Sequence, residues 1–243
     1  MSSARILVIL PALNEGSNIA AVVRAVRAQI PPADVLVIDD GSLDHTAQEA
    51  RSAAAMVLKL PYNVGIGAAV QAGFKFAAEY DYDIVVRNDG DGQHAPSGIL
   101  HLLERLQSHQ ADVVIGSRFM DEQGDYGTPP ARRLGISILA KLLSLITGQR
   151  ITDPTSGCAA FNRQAILLFA QVYPHDYPEP EAIVILHRSG LRQMEIPVRM
   201  IPRQHGNSSI TPVRSVYYMM KVTLAILINL LRRPPSSPII PRR

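Results

Sequence analysis

The chain has 243 residues, 47% of them hydrophobic, a net charge of +3 and a single cysteine. That length is near the upper limit for one core, and the apolar content excludes a disordered chain. A charge so close to neutral argues against a nucleic-acid binder, and lone Cys158 permits neither a disulfide framework nor a cysteine-rich zinc site within one chain.

The elements follow in chain order. Strands are predicted over residues 4–10, 34–39, 55–60, 82–87 and 112–117. Helices alternate with them over 16–29, 42–54, 66–80 and 96–109, the second with Ser42 or Asp44 as its cap. Beyond them come a loop at 119–130, an apolar helix at 131–147, a turn at 152–157, a helix at 179–189, a strand at 191–202, a loop at 203–209 and a last helix at 212–231. Near-continuous Val/Ile/Leu strands joined by helices predict an α/β fold with a parallel sheet covered on both faces. One domain is expected over 1–211. Residues 212–243 form an apolar and basic helix and tail, part of that domain or lying at a membrane interface. Cys158 reads as a small buried hydrophobe, and the absence of disulfides fits a reducing compartment. No secretory signal is visible, and no run approaches the roughly 18 apolar residues of a membrane span.

In such folds the ligand sits outside the carboxyl ends of the strands. Four polar clusters fall there: Pro11-Ala12-Leu13-Asn14-Glu15, Asp39-Asp40-Gly41-Ser42, Asn63-Val64-Gly65-Ile66-Gly67 and Asp89-Gly90-Asp91-Gly92-Gln93-His94. Asp89 and Asp91 suit a hard divalent cation such as Mg²⁺, which takes one or two carboxylates plus waters and phosphate oxygens; His94, if it reached the ion, would favour Mn²⁺ or a softer metal. An isolated D-G-D reads as a solvated turn, but its position beside three other clusters favours the metal. A nicotinamide dinucleotide fits poorly, because no glycine follows the first strand and Val70 stands where G-x-G-x-x-G needs its third glycine.

The motifs P-A-L-N-E (11–15), V-I-D-D-G-S-L-D-H-T (37–46), N-V-G-I-G-A-A-V-Q-A-G-F (63–74), D-G-D-G-Q-H with Pro96, G-S-R-F (116–119) and D-P-T-S-G (153–157) occur in this order. Over residues 5–210 the chain resembles family 2 glycosyltransferases of the GT-A fold, close to the dolichol- and polyprenol-phosphate mannose or glucose synthases. The resemblance implies a Rossmann-like, mostly parallel sheet flanked by helices. It implies inverting, metal-dependent transfer of a hexose from a UDP- or GDP-sugar to a polyprenyl (dolichyl-type) phosphate. Asp89, Asp91 and Gln93 would meet Mg²⁺ or Mn²⁺, which stabilises the departing diphosphate as a Lewis acid.

By the same resemblance, Pro11, Leu13, Asn14 and Glu15 line the nucleoside pocket, and Asp39 and Asp40 reach base and ribose. Gly65 and Gly67 would let backbone approach the ligand closely. Arg199 and Arg203, with His205 nearby, would grip the diphosphate, although Ser209 replaces the family's lysine. Arg118 and either Arg132 or Arg133 would lie near the sugar or an acceptor phosphate. Glu181 aligns with a family glutamate and would orient Arg199 or the acceptor. Glu179 is an extra carboxylate: a helix N-terminal acid, or a base that leaves a hydroxyl acceptor open. The catalytic set is thus Asp91, Arg118, Glu181 and Glu179. The alternatives are transfer to a saccharide hydroxyl and a non-catalytic nucleotide-sugar-binding subunit. In the last helix Arg214, Lys221, Asn229 and Arg232 fall near one narrow stripe. Its wide apolar face is expected to pack on protein or to lie at lipid headgroups. The expected location is cytoplasmic, peripheral at the membrane face or held by a membrane protein, with no nucleic-acid partner.

Overall fold

A computed structural model describes residues 4–90, 96–121, 128–176, 178–199 and 212–231, the side chains of 96–97 and 212–220 excepted. The chain runs β1 (Ile6–Ala12), α1 (Ile19–Gln29), β2 (Asp34–Asp39), α2 (Thr46–Ser52), β3 (Met56–Lys59), α3 (Ile66–Glu79), β4 (Ile84–Arg87), α4 (Pro96–Gln107) and β5 (Val113–Ser117). It continues through α5 (Pro130–Thr147), β6 (Ala159–Asn162), α6 (Arg163–Gln171), α7 (Pro178–Arg188), β7 (Gln193–Pro197) and α8 (Pro212–Leu231). Seven strands form one sheet in the order β3-β2-β1-β4-β6-β5-β7. Every pairing is parallel except those of β6, which runs antiparallel to both β4 and β5.

Strand alternation sends side chains to two cores. Leu7, Ile9, Leu36 and Ile38 face one layer with Phe74 of α3, Leu139 of α5, Phe169 of α6 and Ile183 of α7. Val8, Leu10, Val35 and Val37 face the other, with Val23 of α1 and Leu102 of α4. Both faces are covered, which is why these strands read as unbroken apolar runs.

Three expectations are corrected. The 42–54 helix begins at Thr46, and its N-cap residue is His45. Ser42 and Asp44 are drawn away to the loop after β1, although Asp44 still accepts a hydrogen bond from Thr46 N at 2.9 Å. The strand expected over 191–202 is shorter, Gln193–Pro197, with residues 200–202 outside the described ones. Strand β6 and helix α6 lie in a stretch with no predicted element. Ala159 and Ala160 carry little strand preference, and β6 exists because partners on both sides bond it. Asn162 then caps α6, accepting from Ala165 N at 3.1 Å.

Helix α8 packs on the sheet domain, with Val222 and Ile226 fully buried in the first core. Lys221 pairs with Asp176 at 3.0 Å, and Arg188 donates to the carbonyl of Asn229. Its outer face exposes Leu224, Leu227, Ile228 and Leu231. Among the described residues no helix is long and apolar enough to cross a membrane.

Candidate active site

Register assembles the site. Ala12 lies opposite Asp39, and Ile9 opposite Arg87. The chain beyond each strand stays bonded to its neighbour, Asp40 N to Ala12 O at 2.9 Å and Asn88 N to Ile9 O at 3.1 Å. Asp39, Asp40, Asn88 and Asp89 therefore emerge at one sheet edge.

The first two motifs are stitched together. Asn14 N donates to Ser42 Oγ, Leu43 N to Asn14 Oδ1, Glu15 N to Thr46 Oγ1 and Gly16 N to Asp44 Oδ2, each at 2.9 Å. Burial opposes the charge on Asp44, but hydrogen bonds from Thr46 and Gly16 hold its carboxyl below the ordinary range. Asn14 adopts a left-handed backbone, φ 56°. The Glu15 side chain accepts from Asn18, Pro11 is buried, and Leu13 is exposed above the seam.

The acidic pair divides its work. Asp40 accepts from Val64 N at 2.8 Å and Gly65 N at 3.0 Å, so both oxygens hold the loop after β3. Asp39 Oδ1 accepts from Ser42 N at 2.9 Å, but Asp39 Oδ2 is buried with no partner among the described residues. The buried Asn88 Oδ1 also lacks one. Gly65, φ 92°, supplies the turn into α3. At Gly67 a Cβ would stand 2.2 Å from the carbonyl oxygens of Pro174 and His175, so the close approach there is made by the chain's own backbone.

Asp89 is one-third exposed. A Cβ on Gly157 would lie 2.5 Å from both its oxygens. Beneath it, buried Arg87 donates from Nη2 to Glu179 Oε1 at 2.5 Å and from Nη1 to Tyr173 Oη at 3.1 Å, with Asp89 Oδ1 at 3.9 Å from Nη2. Burial opposes the Arg87 charge, but Glu179, then Tyr173 and Asp89, hold the guanidinium protonated, above its usual value. Burial pushes the Tyr173 hydroxyl up to about 12, and the Cys158 thiol likewise to about 12. Cys158 is thus an inert buried thiol.

The turn carrying Gly157 is pinned from several sides. Arg118 Nε and Nη2 fork onto Asp153 at 2.6 and 2.8 Å, and Nη2 also reaches Thr155 Oγ1 at 2.6 Å. Glu195 accepts from Thr152 N at 2.7 Å and Asp153 N at 3.0 Å, and burial raises its pKa. Ser156 Oγ donates to Gly116 O at 2.5 Å.

The remaining predicted residues lie around this centre. Glu181 is half-buried in the first turn of α7; Arg132 and Arg133 are exposed in the first turn of α5; Arg199 is exposed just past β7. Asp91, Gln93, His94, Arg203 and His205 lie outside the described residues. Among the described residues no three His, Cys, Asp or Glu side chains converge. The donors that are described still fit a hard cation with a hydroxyl- and N–H-bearing ligand, since a partly exposed carboxylate shares a sheet edge with two buried oxygens that are unpartnered among the described residues. Sequence reasoning gave no role to Arg87, Asp153, Gly157, Tyr173 or Glu195. The signals were Arg87, a charge at the end of an apolar strand, and the D-P-T-S-G motif, which contains Asp153 and Gly157. An open groove of about 900 Å³ runs along α5, lined by Phe119, Arg133, Ile136, Lys141, Leu145 and Arg150 among others.

A parallel-led α/β sheet with oxygen donors gathered at its carboxyl edge defines a Rossmann-like protein whose ligand site lies at that edge. The chain belongs to glycosyl transferase family 2, whose family model matches residues 7–168. It is 32% identical over 216 residues to the undecaprenyl-phosphate mannosyltransferase of Micrococcus luteus, covering 85% of this chain and 88% of that one. It is 36% identical over 169 residues to the polyprenol monophosphomannose synthase of Mycolicibacterium smegmatis, covering 67% and 63%. The fold matches the glucosyl-3-phosphoglycerate synthase of Mycobacterium tuberculosis, solved with Mn²⁺, UDP and glucosyl-3-phosphoglycerate, with a TM-score of 0.70 at 20% identity over 97% of this chain and 82% of that one. The protein is therefore a glycosyltransferase with the GT-A fold.

Proposed function

We propose that this transferase moves a hexose from a UDP- or GDP-sugar to a polyprenyl phosphate, with inversion, using Mg²⁺ or Mn²⁺. The observation that carries the donor half is the buried Asp39 Oδ2, unpartnered among the described residues, at the same sheet edge as Asn88 and Asp89. A carboxylate oxygen only accepts hydrogen bonds, so Asp39 suits a base N–H or a ribose hydroxyl. Asp89 and Asp91, with Gln93, would hold the metal, which supplies Lewis acidity toward the leaving diphosphate. Arg199 and Arg203 would face that diphosphate, and Arg132 the acceptor phosphate. Arg118, forked onto Asp153, shapes the site by fixing the turn.

Two features support a lipid phosphate acceptor. The named relatives act on undecaprenyl or polyprenol phosphates. The groove along α5 sets Arg133, Lys141 and Arg150 among apolar side chains, which suits an anionic head on an apolar tail. A phosphate oxygen is already a nucleophile and needs no strong base, consistent with Glu179 being engaged by Arg87. Exposed Leu134, Ile138 and Leu145 on α5 and the outer leucines of α8 support peripheral attachment to a membrane surface.

The test is transfer from UDP-glucose, GDP-mannose and UDP-N-acetylglucosamine, with Mn²⁺ or EDTA, to undecaprenyl phosphate in detergent or to soluble saccharides. Metal-dependent formation of one sugar–phosphate–lipid is expected. Transfer to saccharides alone would replace the acceptor, and EDTA-insensitive transfer would remove the metal.

A further inference from the structure

Arg87 is a cation placed directly beneath the carboxylate that the proposed metal needs. Its Nη2 lies 2.5 Å from Glu179 and 3.9 Å from Asp89. The guanidinium is buried, its Nε has no partner, and Tyr173 takes Nη1. A buried guanidinium must keep a counter-ion. Two carboxylates lie within reach, and the geometry gives the close contact to Glu179. Asp89 is one-third exposed and stands farther off, at 3.9 Å.

We infer that Glu179 is a positioning residue: it neutralises Arg87 and so prevents Arg87 from competing with the divalent cation for Asp89. The inference rests on the reading of Asp89 as a metal ligand. Without Glu179, the nearest carboxylate to Arg87 among the described residues is Asp89, and closing 3.9 Å needs only a side-chain adjustment. An Arg–Asp pair would then occupy the oxygens that the metal uses. Two charges of the same sign cannot share one carboxylate without loss. A general-base role for Glu179 predicts something else: turnover lost, metal affinity intact.

The experiment measures Mn²⁺ binding by the EPR signal of the free ion, with and without UDP or GDP, in the wild type and in Asp89→Asn, Glu179→Gln, Arg87→Met and the Arg87→Met/Glu179→Gln double variant. Glu179→Gln should weaken Mn²⁺ binding about tenfold or more, and the double variant should return to within about threefold of wild type. Arg87→Met alone should bind Mn²⁺ at least as tightly as wild type, and this variant decides the matter if Glu179→Gln does not fold. Unchanged affinity in Glu179→Gln, a double variant as weak as the single, or weak binding by Arg87→Met each overturns the inference. Wild-type Mn²⁺ binding that survives Asp89→Asn would overturn the metal reading beneath it instead.

Discussion

The carboxylate of Asp89 occupies the space that a side chain at residue 157 would need. A Cβ on Gly157 would stand 2.5 Å from both carboxylate oxygens, well inside van der Waals contact. The turn cannot readily retreat, because Arg118, Glu195 and Ser156 hold it. Asp89 must move instead, and one-third exposure lets it swing out at small cost to the fold. Gly157→Ala should therefore lower Mn²⁺-dependent nucleotide binding at least about tenfold, or ~1.4 kcal/mol, with little loss of melting temperature. Titration calorimetry of UDP and GDP on both proteins checks this. Equal affinities would show that Asp89 is not where the ligand needs it.

Asp39 offers a sharper test, because its two effects have opposite signs. Oδ1 is used by Ser42 N, while Oδ2 is buried and unpartnered. In the ligand-free protein a buried oxygen without a donor is a cost. Asp39→Asn keeps the shape and the Ser42 contact but replaces an acceptor with a donor. The variant should melt no lower than wild type, yet bind nucleotide about 10- to 100-fold more weakly, the range for a hydrogen bond to a charged group. A variant that loses stability and keeps affinity would assign Asp39 to the fold alone.

The alternation of strands and helices up to β5 was legible because β1, β2, β4 and β5 are buried almost throughout, while the half-exposed β3 was carried by its apolar run. The position of the polar clusters was legible because each follows such a strand. Side-chain roles within a cluster were not. Asp39 and Asp40 are adjacent and identical in sequence, yet one is spent on Val64 and Gly65 while the other keeps an open oxygen. Their difference comes from strand register and loop return, which are tertiary. The resemblance puts Arg118 near the sugar or an acceptor phosphate; its fork onto Asp153 is tertiary and no motif encodes it. β6 escaped for the same reason, since its stability comes from two neighbouring strands rather than from Ala159–Asn162.

Asn14 holds the seam between the first two motifs in a left-handed conformation, φ 56°, with its side chain accepting from Leu43 N at 2.9 Å. Asparagine tolerates that region better than most residues, and glycine better still. Asn14→Ala loses the hydrogen bond and adds backbone strain, whereas Asn14→Gly loses only the bond. Alanine should be the more destabilising by about 1 kcal/mol in urea unfolding. The reverse order would mean that backbone strain does not contribute at this turn.

Arg118 is predicted to act on stability before affinity. Its fork onto Asp153 is buried, and the Asp153 side chain is fully enclosed. Arg118→Met strands that carboxylate and should cost about 3–5 kcal/mol, the range for breaking a buried pair from one side. Arg118→Lys keeps the charge but cannot reproduce the fork, and should fall in between. Thermal melts of the ligand-free proteins measure both. A stable Arg118→Met variant with impaired transfer would return Arg118 to the substrate.

Glu195 gives the fold a pH dependence of defined sign. Burial raises its pKa in the folded protein, against the hydrogen bonds from Thr152 and Asp153 that lower it. A carboxyl raised on folding favours the protonated form, so its contribution is fully present below the unfolded value of about 4.3 and is lost as pH rises through the folded value. Glu195→Gln does not titrate. The stability of wild type relative to Glu195→Gln should therefore be greatest at the acid end and shrink toward neutrality. Urea unfolding of the two proteins across that window provides the difference directly. A gap that widens with pH would mean that the donors on Thr152 and Asp153 outweigh burial and hold Glu195 ionised.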